Sequence, residues 1–351
     1  MRVLHRFELV EGMSSEPLFP NVSIAAIVPC YNEEAAVADV VRGLQQAVPG
    51  IEVYVYDNNS SDRTAEVARA AGAHVRSESH PGKGNVVRRA FADIDADVYL
   101  MIDGDDTYDA AAAPALIGTL LEGPYDHVLG IRAPESATEA YRHGHQFGNR
   151  IINAAVARLF GEHVTDMLSG YRVMSRRFVK SFPASSRGFE IETELTVHCL
   201  TLRVPCASVP VGFRDRHEGS ESKLNTFRDG FRILSTILRL FRYERPARFY
   251  GALGLLGFLV IGVPALLEEV LPGLPLPHFS AFLVVALFCL MVTISMIDDT
   301  QARARHDNAH LVYMQQPAPY CLEASAVTID RDDDAPDDLA RHDGTVVTVT
   351  L

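Results

Sequence analysis

The chain of 351 residues contains no tryptophan. Any recognition motif that depends on an indole is excluded from the start. Cysteine is scarce: Cys30, Cys199, Cys206, Cys289 and Cys321 show no paired spacing, and no CxxC occurs. A disulfide framework is not expected, and a reducing compartment is the simplest inference. Basic residues are outnumbered, 32 to 45, for a net charge of −13. No basic domain face is implied, so nucleic acid is not an expected partner. About half the acidic excess sits in residues 321–351, which carry eight acids against two arginines. Residues 1–20 hold acids and no apolar core of signal-peptide length, so no cleaved signal is expected. There is no internal repeat. Gly82-Lys83-Gly84 lacks the spacing and the Ser/Thr of a Walker A loop. Val87 stands where a dinucleotide-binding fingerprint would place its third glycine.

What is present is an alternation of short apolar runs and amphipathic stretches. Val22 to Val28, Ile51 to Tyr56, Asp97 to Ile102 and Val128 to Ile131 read as buried strands. Helices are expected from Glu33 to Val48, Arg63 to Ala71, Gly84 to Phe91, Gln146 to Phe160 and Glu190 to Leu202. Val204 to Phe213 reads as extended, kept off a central position by Pro205 and Pro210. Such alternation predicts an α/β domain with a mostly parallel sheet covered on both faces.

The last third differs. From Asn225 to Phe241, Phe227, Phe231, Leu234, Leu238 and Phe241 recur every three or four residues, with arginines between them. A basic amphipathic helix suits a membrane surface, and the arginines from 228 to 248 are read as contacts to it. Phe249 to Leu267 and Phe279 to Ile297 are each free of charge over about the length that crosses a bilayer. The link between them has no Lys or Arg, whereas both outer flanks have arginines. Two transmembrane helices with the N-terminal domain in the cytoplasm are therefore expected. The partition is 1–20 as an extension, 21–223 as the catalytic domain, 224–248 as the interfacial helix, 249–297 as the membrane pair, and 298–351 as a polar, acidic tail.

Polar signatures follow the strands. Asp103-Gly104-Asp105 follows the strand Asp97 to Ile102, and two carboxylates so placed suit Mg²⁺ or Mn²⁺ shared with substrate phosphates. An acidic turn is the alternative. Asp57 is either an acceptor for a base or ribose or part of a helix N-cap. The Gly82–Gly84 loop, at a helix start, favours anions or is a plain turn. Cys30 has no base near it and reads as a small buried hydrophobe. His143 and His145 lack a third ligand at fitting spacing. Of Glu190, Glu192 and Glu194, the first, at the loop-facing helix start, is the best candidate for the site.

Taken together, Val28-Pro29-Cys30-Tyr31-Asn32-Glu33-Glu34, Asp57 to Asp62, Gly82-Lys83-Gly84 and Asp103-Gly104-Asp105 resemble family 2 glycosyltransferases of the GT-A fold. Gly130-Ile131-Arg132, Gly148-Asn149-Arg150, Ser169-Gly170-Tyr171-Arg172, Phe213 to Arg216 and Ser222-Lys223-Leu224 resemble the dolichol-phosphate mannose synthases and bacterial polyprenyl-phosphate glycosyltransferases. The resemblance implies that Pro29, Tyr31, Glu33 and Asp57 hold the donor nucleoside, beside the Gly82, Lys83 and Gly84 loop. It implies that Asp103 and Asp105 bind the divalent metal, Thr107 standing at the third-ligand position. Arg132, Arg150 and Arg216 match positions that grip an acceptor phosphate, Asp166 matches a carboxylate near the reacting groups, and Lys223 could shield phosphates. The expected partners are a UDP- or GDP-linked sugar, a polyprenyl phosphate and the membrane, with a homo-oligomer left open. The expected reaction is a single transfer with inversion at the inner face of the cell membrane. Its rivals are another glycolipid or glycan acceptor, or a silent scaffold. The missing Trp counts against processive synthases, which usually carry a Gln-x-x-Arg-Trp-type motif.

Overall fold

A computed structural model describes residues 17–134, 158, 166–214, 226–264, 267 and 281–319. Among them the strands form one seven-stranded sheet, in the order β3-β2-β1-β4-β6-β5-β7. The strands are β1 (Ile24–Cys30), β2 (Glu52–Asp57), β3 (His74–Ser77), β4 (Val98–Met101), β5 (His127–Pro134), β6 (Arg172–Ser175) and β7 (Cys206–Phe213). The helices are α1 (Val37–Ala47), α2 (Thr64–Ala70), α3 (Lys83–Asp93), α4 (Ala113–Glu122), α5 (Arg176–Ser181), α6 (Ile191–Leu202), α7 (Thr226–Glu244), α8 (Pro246–Gly257) and α9 (Ala281–Gln315).

Why β1 is central follows from its side chains. It is apolar on both faces, as a strand covered on both sides must be. Ile24, Ala26 and Val28 point into one core with Val37, Val40, Val41 and Leu44 of α1 and Leu116 and Ile117 of α4. Ala25 and Ile27 point the other way, onto Val86, Val87 and Ala90 of α3, Phe178 of α5, and Ile191 and Leu195 of α6. β4 splits its residues between the two cores in the same way. β1 pairs in parallel with β2 and β4 on opposite sides, and the chain order reverses there. Loops after parallel strands at such a reversal are where open α/β sheets bind ligands.

The sheet is mixed rather than simply parallel. β6 runs antiparallel to both β4 and β5. Ser169-Gly170-Tyr171-Arg172 ends in this strand. Its four residues open on a charged one, which leaves no period to read. β3 is likewise a four-residue edge strand. β7 is the opposite edge; among the described residues it pairs with β5 along its length and bridges Tyr108 at Phe213, and it carries Pro210 as anticipated. The helix expected from Gln146 to Phe160, and the pair His143 and His145, lie almost wholly outside the described residues.

The amphipathic helix is present as α7, and it has a second apolar face beside the expected one. Ile237 and Leu240 are buried against Met167, Val197 and Leu200, whereas Leu234 and Leu238 are exposed. Among the described residues one helical span, Val285–Gln315 in α9, is long and apolar enough to cross a membrane, and none of its apolar window is buried. The other expected span, Phe249 to Leu267, corresponds to a shorter apolar helix, Pro246–Gly262, made of α8 and a π-helical turn. Two full crossings are therefore not established. α8 and α9 are neighbours: Tyr250 donates to Asp298 Oδ2 at 2.9 Å. The polar end of α9 returns to the sheet domain, where Ala309 and Tyr313 pack on the second core.

Candidate active site

Four loops meet at the C-terminal edge of β1, β2 and β4, and Asn58 joins three of them. Its backbone N–H donates to Cys30 O at 2.9 Å, its amide Nδ2 to Glu78 O at 2.9 Å and His80 O at 2.8 Å. Its Oδ1 accepts from Gly82 N at 2.6 Å. Nothing in the polar run Asp57 to Asp62 marks this residue in advance, because the role depends on contacts made far along the chain. Asp57 ends β2 and accepts from Ser60 N at 3.4 Å. The carboxylate that meets the start of α2 is instead that of Asp62, one residue before the N-cap position Arg63; it accepts from Thr64 N at 3.0 Å. Asp57 lines a cavity of about 640 Å³ with Asn59, Glu78, His80 and Arg88. Pro29 is half-buried, Tyr31 is exposed and Glu33 is buried, its N–H donating to Thr64 Oγ1 at 2.8 Å.

The two loop glycines have a steric reason. A Cβ on Gly82 would collide with Arg187 O, and one on Gly84 with Ser186 O. Gly82 also has φ +122°, which a side chain rarely tolerates. The start of α3 is thus pressed on the segment before α6, and Asn85 N donates to Arg187 O at 3.3 Å. This contact places Lys83 between two acids. Its ammonium is bonded to Asp103 Oδ1 and lies 2.6 Å from Glu192 Oε1. Burial alone would push the ammonium's pKa down, but the two carboxylates more than reverse it and hold it above the usual lysine value. Burial pushes the Glu192 carboxyl up, opposed by Lys83. So the glutamate that reaches this cluster is Glu192, not Glu190. A helix buried nearly all round, as α6 is, offers no polar face from which to choose among its acids.

Asp105 is buried, and its Oδ1 accepts from Thr107 Oγ1 at 2.7 Å and Thr107 N at 3.2 Å. Thr107 therefore positions a carboxylate, whatever else it does. β7 clamps this loop from below: Arg214 N donates to Thr107 O at 2.8 Å, and Asp109 N to Gly212 O at 3.2 Å. From the other side comes the turn before β6. A Cβ on Gly170 would overlap the Asp103 carboxylate, and Gly170 N donates to Tyr108 OH at 2.9 Å. Burial pushes the Tyr108 hydroxyl up to about 12, so it stays protonated. Arg172 fixes the turn. Fully buried, it donates to Ser169 O at 2.9 Å, Met167 O at 2.6 Å and Thr196 Oγ1 at 3.0 Å.

Arg132, at the end of β5, is gripped by Asp166 through two parallel bonds, Nε to Oδ2 at 2.8 Å and Nη2 to Oδ1 at 2.6 Å. Its guanidinium lies over the Phe213 ring, 5.5 Å from the centroid. Burial opposes its charge, and Asp166 more than compensates, keeping it fully ionised. The structure thus gathers Lys83, Asp103, Asp105, Thr107, Arg132 and Asp166 at one edge, with Asp57 and Glu33 beside them. Arg150, Arg216 and Lys223 lie outside the described residues. Cys30 is 2% exposed and in the core, as expected. Among the described residues Cys30, Cys199, Cys206 and Cys289 form no disulfide.

The donor set at Asp103 and Asp105 is two hard carboxylates about a glycine. It fits Mg²⁺ or Mn²⁺ with remaining positions left to water or substrate oxygens. Among the described residues no group of three or more His, Cys, Asp or Glu could enclose an ion alone.

Comparison with known proteins gives this edge a context. The model of Glycosyl transferase family 2 matches residues 25–182, from β1 through α5. Glycosyltransferase AglJ of Haloferax volcanii is 38% identical over 233 residues, 66% of this chain and 76% of its own. The dolichyl-phosphate hexose transferase of the same organism is 30% identical over 226 residues, 63% of this chain and 95% of its own. Among solved structures, glucosyl-3-phosphoglycerate synthase from Mycobacterium tuberculosis, in complex with Mn²⁺, uridine-diphosphate and phosphoglyceric acid, superposes with a TM-score of 0.54. That match has 25% identity and covers 63% of this chain and 78% of that one. With strand-end acids, a mixed GT-A-like sheet and relatives of this identity and coverage, the chain belongs to glycosyl transferase family 2 and is a glycosyltransferase.

Proposed function

We propose that the enzyme moves a single sugar from a nucleotide donor to a polyprenyl phosphate at the cytoplasmic face of a membrane, with inversion at the sugar. The observation that carries this reading is the Arg132–Asp166 pair. An arginine aligned by a bidentate carboxylate presents its remaining edge in a fixed direction, and a planar guanidinium is suited to a phosphate. A phosphate acceptor is already an anion at neutral pH, so the site needs alignment more than it needs a general base.

Asp57 and Glu33, at the ends of β2 and β1, are assigned to the nucleoside. Asp103 and Asp105, steadied by Thr107, are assigned to a divalent metal, which would neutralise the departing nucleoside diphosphate as a Lewis acid. Arg132 orients the acceptor, joined in this proposal by Arg150 and Arg216. The exposed Leu234 and Leu238 of α7, together with α8 and α9, are assigned to the membrane. The antiparallel contact of α8 with α9 supports a hairpin whose two ends share one side. The named activity of the dolichyl-phosphate relative supports the acceptor class.

The test is a transfer assay in membranes. Labelled UDP-glucose, UDP-N-acetylglucosamine and GDP-mannose are offered in turn with Mn²⁺ or Mg²⁺ and polyprenyl phosphate. Label in an acid-labile lipid fraction, lost in Asp105→Ala, is the expected result. Label in a water-soluble or glycan product would replace the acceptor assignment, and a product that keeps the donor's anomeric configuration would overturn inversion.

A further inference from the structure

The ammonium of Lys83 has two carboxylate partners, and the metal assignment requires it to give one of them up. It contacts Asp103 Oδ1 and, at 2.6 Å, Glu192 Oε1. Its side chain is only 8% exposed, and that of Glu192 only 5%. A buried ammonium that lost its partners would have no water to turn to. The other oxygen of Glu192 changes the picture: Oε2 is buried and, among the described residues, has no hydrogen-bond partner. A displaced ammonium can exchange its bond to Asp103 for one to Oε2, with no loss in the number of bonds. The backbones need not move, because Gly82 and Gly84 lock the start of α3 to residues 186–187. Only the four-carbon stem of Lys83 swings.

We infer that Glu192 is a positioning residue that receives Lys83 and so frees Asp103 for the divalent metal. The inference rests on the proposed function only in taking Asp103 and Asp105 as the metal pair. Without the Glu192 charge, Asp103 is the counter-ion left to Lys83 among the described residues, and Lys83 competes with any cation that approaches it. A purely structural role for Glu192 would change stability and leave cation affinity alone.

The experiment is a titration of the purified full chain with Mn²⁺ alone, following the free-ion electron paramagnetic resonance signal. Wild type, Asp105→Ala, Glu192→Gln, Lys83→Met and the double variant Lys83→Met/Glu192→Gln are compared. Glu192→Gln is expected to bind about tenfold more weakly than wild type. Lys83→Met is expected to bind at least as tightly as wild type. The double variant, which removes the buried pair together and so avoids an unpaired charge, is expected to return to wild-type affinity or better. Wild-type affinity in Glu192→Gln, or a double variant as weak as Glu192→Gln, overturns the inference. Should Glu192→Gln fail to fold, the Lys83→Met and double variants decide it: weaker binding in both overturns it. If wild type and Asp105→Ala take up Mn²⁺ equally, the metal assignment itself fails, and the inference with it.

Discussion

Tyr313 donates its hydroxyl to Asp126 Oδ2 across 2.6 Å, joining residues 187 positions apart. Asp126 is fully buried and also accepts from Ser175 Oγ at 2.7 Å and Arg177 Nη2 at 2.6 Å. The Arg177 guanidinium in turn lies 4.6 Å from the Tyr313 ring centroid. Tyr313→Phe removes one bond to a charged acceptor and should cost about 1.5–3 kcal/mol. Asp126→Ala strands Arg177 and should cost about 3–5 kcal/mol. Thermal denaturation in detergent would rank them. Equal melting temperatures for both variants and wild type would show that α9 does not stabilise the sheet domain.

The carboxylate of Asp105 depends on Thr107. Thr107→Val deletes the hydroxyl donor while keeping the shape, and should lower kcat about 10- to 100-fold, the equivalent of one charge-assisted bond. Thr107→Ser should retain most activity. A Thr107→Val enzyme with unchanged turnover would remove the positioning role.

Arg132→Lys keeps a charge but loses the fork that meets Asp166. Transfer should fall by at least about tenfold, with the KM for the acceptor rising more than that for the donor. Steady-state kinetics with each substrate varied separately would check this. A change confined to the donor KM would reassign Arg132.

Two buried histidines set an acid limit. Burial, with a smaller contribution from His306, holds His198 down at about 3, and burial with Arg172 and His198 beside it holds His127 well below its ordinary value. Both are neutral in the fold and titrate near 6.5 once unfolded. Their contribution is therefore complete above about pH 6.5 and is lost as pH falls below it, for His198 down to about pH 3, by up to about 1.4 kcal/mol per pH unit for each histidine. His198→Gln should flatten the fall in melting temperature between pH 7 and 5. An unchanged slope would exclude His198 as a source.

The loops after β1, β2 and β4 were legible because those strands read as short apolar runs and their polar neighbours are local. Asp103 and Asp105 could be singled out on that basis, and Lys83 by the glycines on either side of it, although β3 before it has no apolar run. Asn58, Glu192 and Arg172 could not, since each works through partners distant in sequence. Arg172 starts a four-residue strand and is wholly buried, the reverse of what its charge suggests. The apolar runs of α8 and α9 were readable as such, but the packing of Ile237 and Leu240 on Met167 depends on where the turn before β6 sits.

α9 is one uninterrupted helix from Ala281 to Gln315, fastened at Asp298 by Tyr250 and at Tyr313 by Asp126. Helical geometry turns each residue by about 100° and advances it about 1.5 Å. A single insertion between the two fastenings would therefore swing one of them to the wrong side. The spacing from 298 to 313 is a gauge: an insertion that brings the phase back, such as seven residues for two turns, still lengthens the span by about 10 Å and parts one fastening from its partner.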